Sequence, residues 1–276
     1  MCRFTLYIGP PILLSSLLIE PEHSLIRQST HSREREEPLN GDGFGVGWYA
    51  PDHSYEPAVF RSITPAWNNR NLHNLCRVVT SPCILAHVRA ATQSSGVNEA
   101  NCHPFRYGKF LCMHNGDIGN FRKVRRKLLD SVCDESHSNV YGSTDSEHFF
   151  AVYIDQLLKY QNHDIDSMSE SLRAAIHQVV ECVRLYGDDE PCYLNVAISD
   201  GDSVVVSRFT NDPVHVPESL YYYIGSIYEA VEKDGCDISS VLVSSEQLSN
   251  DPGWQEVPAN HIIKIQYGHI PTFIEI

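Results

Sequence analysis

The second residue of the chain is a cysteine, and its position matters more than its type. Removal of Met1 leaves Cys2 carrying a thiol and a free α-amine on one residue, so that nucleophile and base share a single carbon. With reference pKa values of about 8.5 for a thiol and about 7.7–8.0 for an α-amine, the amine can take the thiol proton near neutral pH without a histidine or aspartate partner. The competing reading is a small residue buried in a strand. Four further polar clusters hold reactive side chains: Asn40-Gly41-Asp42-Gly43-Phe44-Gly45, His87-Val88-Arg89-Ala90-Ala91-Thr92, Asn101-Cys102-His103-Pro104-Phe105 with His114-Asn115-Gly116, and Gly142-Ser143-Thr144-Asp145-Ser146-Glu147. Taken singly, each has an ordinary use. Asp145 could stabilise a helix N-terminus, Asn115-Gly116 could turn a hairpin, Arg89 could join a surface ion pair, and His103 could be a hydrogen-bonded core residue.

Other chemistries lack their residues. The run Gly41 to Gly47 has neither G-x-G-x-x-G spacing nor a G-K-[ST], and Asp42 within it would repel phosphate, so it reads as a close-packed turn. H-E-x-x-H, EF-hand, C-x-x-C and G-x-S-x-G patterns do not occur, and Pro191-Cys192 lacks the second cysteine of a zinc deaminase. No metal and no cofactor is expected.

The elements that must position these clusters follow from periodicity. Arg3 to Gly9 reads as a strand interrupted by Pro10-Pro11, followed by a short apolar helix. Residues 27–43 have no apolar period and read as an exposed loop. Phe44–Tyr49 and Ala58–Ile63 pattern as a strand pair, Asn71–Val79 as a helix, and Cys83–Arg89 and Phe110–Met113 as buried strands. Asp145–Tyr160 and Ile165–Tyr186 are helical, with Leu172, Ile176, Val179, Val180 and Val183 on one face. Tyr193–Ser199 and Ser203–Phe209 flank Asp200-Gly201 as a hairpin, and strands follow at Leu220–Ile224, Val241–Ser244, Ile262–Gln266 and Thr272–Ile276. This order of strands, helices and strands predicts a layered α+β fold, with no repeat or linker to mark a second domain.

Composition narrows the partners. The 276 residues are 42% hydrophobic and 20% charged, which is globular, and the formal net charge of −14 repels nucleic acid and anionic membrane surfaces. Nine cysteines without C-x-x-C pairing favour a reducing, cytoplasmic location, and no apolar run approaches a membrane span. Residues 12–19 have a signal-like core but run into Glu20-Pro21-Glu22 without a cleavage site, so a first helix is expected there.

Together with Met1-Cys2-Arg3-Phe4, the four clusters resemble class II (N-terminal nucleophile) glutamine amidotransferases, specifically the YafJ-type branch. With Ile63-Thr64-Pro65-Ala66-Trp67-Asn68-Asn69 added, they look like the amidotransferase-type subunits of fungal glutathione-degradation complexes. The resemblance is densest over residues 1–150. It implies a single type-2 amidotransferase domain over residues 2–276, folded as a four-layer αββα sandwich of the N-terminal-nucleophile hydrolases, with the helices at 145–186 in one outer layer. It further implies that Cys2 attacks a γ-glutamyl carbonyl while the Asn115 side chain and the Gly116 N–H hold the oxyanion. Arg89 would pair with the substrate α-carboxylate and Asp145 with its α-ammonium, and Thr92 and His103 would line the pocket.

The expected reaction is hydrolysis of a γ-glutamyl amide, with glutathione the leading substrate and glutamate and Cys-Gly the products. The alternatives are a glutaminase, an ergothioneine-type γ-glutamyl hydrolase, or a non-catalytic assembly subunit. A metallopeptidase-like partner carrying WD repeats is implied by the resemblance alone. Many relatives carry Trp after the arginine and His after the threonine, where this chain has Ala90 and Gln93. That predicts a roomier site, suited to a substrate bulkier than glutamine. The absence of a synthase domain from the sequence favours hydrolysis over ammonia transfer.

Overall fold

The computed structural model describes residues 2–34, 39–90, 96–225 and 240–276. The chain opens with β1 (Arg3–Leu13), α1 (Leu14–Leu18) and α2 (Leu25–Gln28), then β2 (Phe44–Trp48), β3 (Ala58–Ser62), α3 (Arg70–Cys76) and β4 (Thr80–Val88). β5 (Phe105–Tyr107) and β6 (Phe110–Asp117) lead into α4 (Phe121–Asp130), α5 (Asp134–His137), α6 (Asp145–Leu157) and α7 (Ile165–Tyr186). The strands β7 (Tyr193–Ser199), β8 (Ser203–Arg208), β9 (Tyr221–Ile224), β10 (Val241–Ser244), β11 (Gln255–Glu256), β12 (His261–Gln266) and β13 (Thr272–Glu275) complete it. Among the described residues the strands form two antiparallel sheets, ordered β11-β9-β10-β1-β4-β2-β3 and β13-β12-β8-β7-β6-β5.

Three apolar cores separate four layers, which is the expected αββα sandwich. Leu14, Leu17, Leu18, Leu25 and Leu72 pack against Phe44, Val46, Ile84 and Ala86 of the first sheet. Phe4, Leu6, Leu85, Leu111, Met113 and Val206 fill the space between the sheets. The second sheet carries α6 and α7 on its outer face through Phe149, Leu172, Ile176, Val196 and Ile198. Because side chains alternate along a strand, Phe4, Leu6 and Ile8 point between the sheets while Tyr7 points to the α1–α3 side.

The structure adds the short elements β5, α5 and β11 to the sequence reading and departs from it in three larger respects. β1 continues through Pro10-Pro11 to Leu13, with the prolines at a register shift between Ile8 and Ile12, where no ladder N–H is needed. Residues 27–43 are more embedded than an exposed loop: Gln28, Ser29 and Asn40 are buried, and α2 reaches into the segment, whose residues 35–38 lie outside the description. The helix Phe121–Asp130 was not expected. Its ten residues bury Val124 and Leu128 four apart and present five basic residues around them, so its apolar face is narrow.

β2 shows how the two sheets come together at one end. Phe44 and Val46 face the helices, so Gly45 and Gly47 face the second sheet, and a Cβ on Gly45 would lie 2.0 Å from the His103 carbonyl oxygen. The bare backbone lets the segment around His103-Pro104 lie flat on β2. Gly45→Ala is therefore expected to lower the unfolding free energy by about 3 kcal/mol in urea denaturation, because the obstacle is backbone and cannot rotate away. A change within about 0.5 kcal/mol, the range of an ordinary surface substitution, contradicts this packing.

Candidate active site

Strand register brings the candidate residues to one end of the sandwich. Arg3 pairs with Val88, so Cys2, just before β1, lies beside Arg89, just after β4. The alternation that sends Phe4 and Leu85 between the sheets sends Cys2, His87 and Arg89 the same way, and in β6 it does so for Asn115 after Leu111 and Met113. The Cys2 thiol is half-buried, with its Sγ 3.6 Å from the Ala90 carbonyl oxygen. Burial pushes this thiol up, outweighing hydrogen bonding at the Ala90 backbone and the Arg89 charge, which lower it, while Asp145 adds to the rise. A thiol so placed stays protonated at neutral pH and needs a base to act as a nucleophile.

Arg89 is buried, which removes the surface ion-pair reading. Its backbone is fixed on both sides, with its N–H donating to the Gly43 carbonyl at 2.9 Å and its carbonyl accepting from the Asp42 N–H at 3.0 Å. The guanidinium Nη1 and Nη2 each lie 3.4 Å from the Gly96 carbonyl oxygen. Asp145 opens α6, but the helix cap is Thr144, whose hydroxyl accepts the Glu147 N–H. The Asp145 carboxylate instead accepts the Ile118 N–H at 3.1 Å and the Ser146 N–H at 2.8 Å, tying α6 to the end of β6. Asn115 and Gly116 are not a turn. They pair with Asn195 and Leu194 within the β6–β7 ladder, and Gly116 has φ +141° with no room for a Cβ, which would sit 1.9 Å from the Tyr193 oxygen. Asn115 is buried, and its Oδ1, an acceptor, has no hydrogen-bond partner.

A polar shell supports these groups. Asn101 donates through Nδ2 to the same Gly96 carbonyl, at 2.9 Å, and accepts the Ser143 N–H, bridging the Arg89 loop to the approach of α6. Glu147 accepts the N–H groups of Tyr141 and Gly142. Behind the strands, His103 stacks on His87 with ring centroids 4.1 Å apart. His87 Nε2 approaches the His114 carbonyl at 3.2 Å, and His114 Nδ1 meets Ser146 Oγ at 2.9 Å. Thr92, the remaining candidate, and Gln93 lie outside the described residues. Nothing in the local sequence marks Asn101 for a role, which emerges only from the bridge it makes.

Comparisons with known proteins bear on this arrangement. The sequence pattern of the family described as glutamine amidotransferases class-II matches residues 21–224. The chain is 39% identical over 293 aligned positions to the probable glutamine amidotransferase DUG3 of Saccharomyces cerevisiae, covering 96% of this chain and 82% of that protein. It is 26% identical over 266 positions to the gamma-glutamyl-hercynylcysteine sulfoxide hydrolase of Mycobacterium tuberculosis, covering 96% and 93% of the two chains. Among solved structures, a glutamine aminotransferase class-II domain protein from Silicibacter pomeroyi superposes with a TM-score of 0.71 at 25% identity, over 99% of both chains. The glutamine phosphoribosylpyrophosphate amidotransferase of B. subtilis shares the fold at TM-score 0.60 and 13% identity, over 100% of this chain and 49% of that one.

The stacked histidines give the site a pH signature. Burial lowers His87 to about 3, outweighing its bond to the His114 carbonyl, and burial likewise holds His103 well below the usual histidine range. The unfolded chain takes up protons at about pH 6.5 that these buried rings refuse, so their contribution is intact above that pH and is lost on acidification towards 3. Stability is expected to fall by about 1 kcal/mol per histidine between pH 7 and 5.5, at a limiting slope of about 1.4 kcal/mol per pH unit. Urea midpoints across that window test this, and His87→Gln should flatten the slope; an unchanged slope in the variant contradicts the assignment.

Proposed function

The chain belongs to the class II glutamine amidotransferases, and from that premise we propose that it hydrolyses γ-glutamyl amides with Cys2 as nucleophile and glutathione as its principal substrate. The observation that carries the reading is the strand register that sets the half-buried Cys2 thiol beside the buried Arg89, at the end of the sandwich where Asp145 ties the start of α6 to the end of β6. Those two charges are complementary to the α-carboxylate and α-ammonium of a free glutamyl head, which only a γ-linked substrate presents.

The steps follow from the groups at hand. Once Met1 is removed, the Cys2 α-amine accepts the thiol proton and the sulfur attacks the γ-carbonyl carbon. The resulting oxyanion is held by the Asn115 amide and the Gly116 N–H; one such donor contributes about 3–4 kcal/mol to the transition state. Collapse breaks the C–N bond, the leaving amine takes the proton back from the Cys2 ammonium, and a thioester remains. Water, deprotonated by the same amine, then attacks the thioester and releases glutamate and the free thiol. No metal is needed for any step.

The small Ala90 beside the thiol supports a leaving group larger than ammonia, such as Cys-Gly. Likeness to a γ-glutamyl sulfoxide hydrolase favours a second reading, with a γ-glutamyl sulfoxide as substrate and the same residues at work. Residues 2–276 would act as one catalytic domain. Assembly with a metallopeptidase-like subunit carrying WD repeats, and a cytoplasmic location, belong to this proposal too. Among the described residues no helix is long and apolar enough to cross a membrane.

Turnover of glutathione, glutamine and a γ-glutamyl sulfoxide side by side identifies the leaving group. Cys2→Ala is expected to lose at least about a thousandfold in kcat while keeping its fold, and undiminished turnover refutes the mechanism. Charge-assisted bonds contribute about 1.5–3 kcal/mol and about 1.4 kcal/mol is tenfold, so Arg89→Ala and Asp145→Asn should each raise KM about tenfold or more. An unaltered KM in both contradicts the head-recognition roles.

A further inference from the structure

A nucleophile at a chain terminus has one covalent tether where an internal residue has two. Cys2 lies outside the β1–β4 ladder, whose first pair is Arg3 with Val88, and an end residue frays unless something holds it. The hold comes from the opposite face of the sheet. Strand alternation turns Arg3 away from the thiol, towards the helix side, and its guanidinium is buried there. Nη1 donates to the Cys2 carbonyl at 3.0 Å, Nε to Glu246 Oε1 at 2.7 Å and Nη2 to Ser32 Oγ at 2.7 Å.

Glu246, only 1% exposed, is the centre of this cluster. Besides Arg3 it accepts the Ser32 hydroxyl at 2.6 Å, the Arg33 N–H at 2.9 Å and the His23 ring at 2.7 Å. Burial alone would raise its carboxyl, but the bonds from His23, Ser32, Arg33 and Arg3 hold it down at about 2, so it is an anion at any working pH. β10 brings it there: Ser244 pairs with Thr5, and Ser245 exchanges bonds with Phe4, its N–H to the Phe4 carbonyl and its hydroxyl accepting the Phe4 N–H. A guanidinium is a rigid fork, so with Nε and Nη2 occupied by Glu246 and Ser32 the remaining arm has one direction, towards the Cys2 carbonyl.

We propose that Glu246 is a positioning residue for the nucleophile: through Arg3 it fixes the peptide plane between Cys2 and Arg3, and with it the direction of the thiol and the α-amine. This rests on the reading of Cys2 as the nucleophile. The contact is separate from the Arg89 and Asp145 charges, so loss of the brace slows acylation without loosening the grip on the substrate.

The test compares Glu246→Gln, which keeps the shape and removes the charge, with Arg3→Lys, which keeps the cation but cannot span three acceptors. Full-length chains with Met1 removal confirmed by mass are assayed on glutathione and glutamine, with any partner the wild type requires. Both variants should lose about tenfold or more in kcat and in the single-turnover acylation rate, with KM within about twofold of wild type. Cys2→Ala is the control: if it retains activity, the nucleophile assignment itself fails, whatever Glu246 does. If Cys2→Ala is dead and either folded brace variant turns over at the wild-type kcat, or only KM rises, the positioning role is overturned. Should Glu246→Gln not fold, Arg3→Lys decides; if neither folds, the cluster is scaffold and the proposal is wrong.

Discussion

Holding the first residues of β1 still in the middle of the protein is the constraint on which this structure depends. β1 meets it by being an interior strand, paired on one side with β10 and on the other with β4. Its two faces carry different cores, one shared with the second sheet and one with the α1–α3 layer. Arg3 cannot move without breaking its pairing with Val88, and Phe4 cannot move without disturbing the β4 ladder, its bonds to Ser245 and the core between the sheets. A cysteine one residue earlier inherits that rigidity, while its own side chain stays at the mouth of the inter-sheet space, where substrate could reach it.

The second requirement is charge in a place that disfavours it. A chain with net charge −14 keeps a buried arginine beside its thiol, where loss of water strengthens the attraction to any carboxylate that enters. The same loss of water drives the neighbouring histidines to their neutral forms. A neutral imidazole pair adds no positive charge to that of Arg89 at this end of the sandwich. Burial thus decides the charge of these two rings, because a ring stripped of water holds its proton less well.

Much of the site was legible because its residues carry their chemistry in local sequence. Cys2 is informative by position, and Arg89 and Asp145 sit at the ends of elements that periodicity locates. Less legible were residues whose local preference is overruled from a distance. Asn115-Gly116 is a strong turn dipeptide, yet the positive φ of Gly116 serves a close pass against Tyr193 inside a ladder. The helix Phe121–Asp130 was missed because only two of its ten residues are buried, leaving almost no apolar face to read. Glu246 gave no signal at all: it meets Arg3 across 243 residues, and nothing in Ser244-Ser245-Glu246 distinguishes it from the polar end of any strand.

The buried polar groups at this end link loops more than they strengthen any one element. Glu246 joins β1 to residues 32–33 and Asn101 joins the Gly96 carbonyl to Ser143, while the half-buried Asp145 joins α6 to Ile118. Glu246 and Asn101 are desolvated groups whose cost is offset only when all their partners are in place, so partial occupancy of such a network is unstable. That makes the geometry around the thiol close to all-or-none. An apolar replacement of similar volume could hold the layers together as well, but it would not select one orientation of the strand ends, because apolar packing carries no direction of its own.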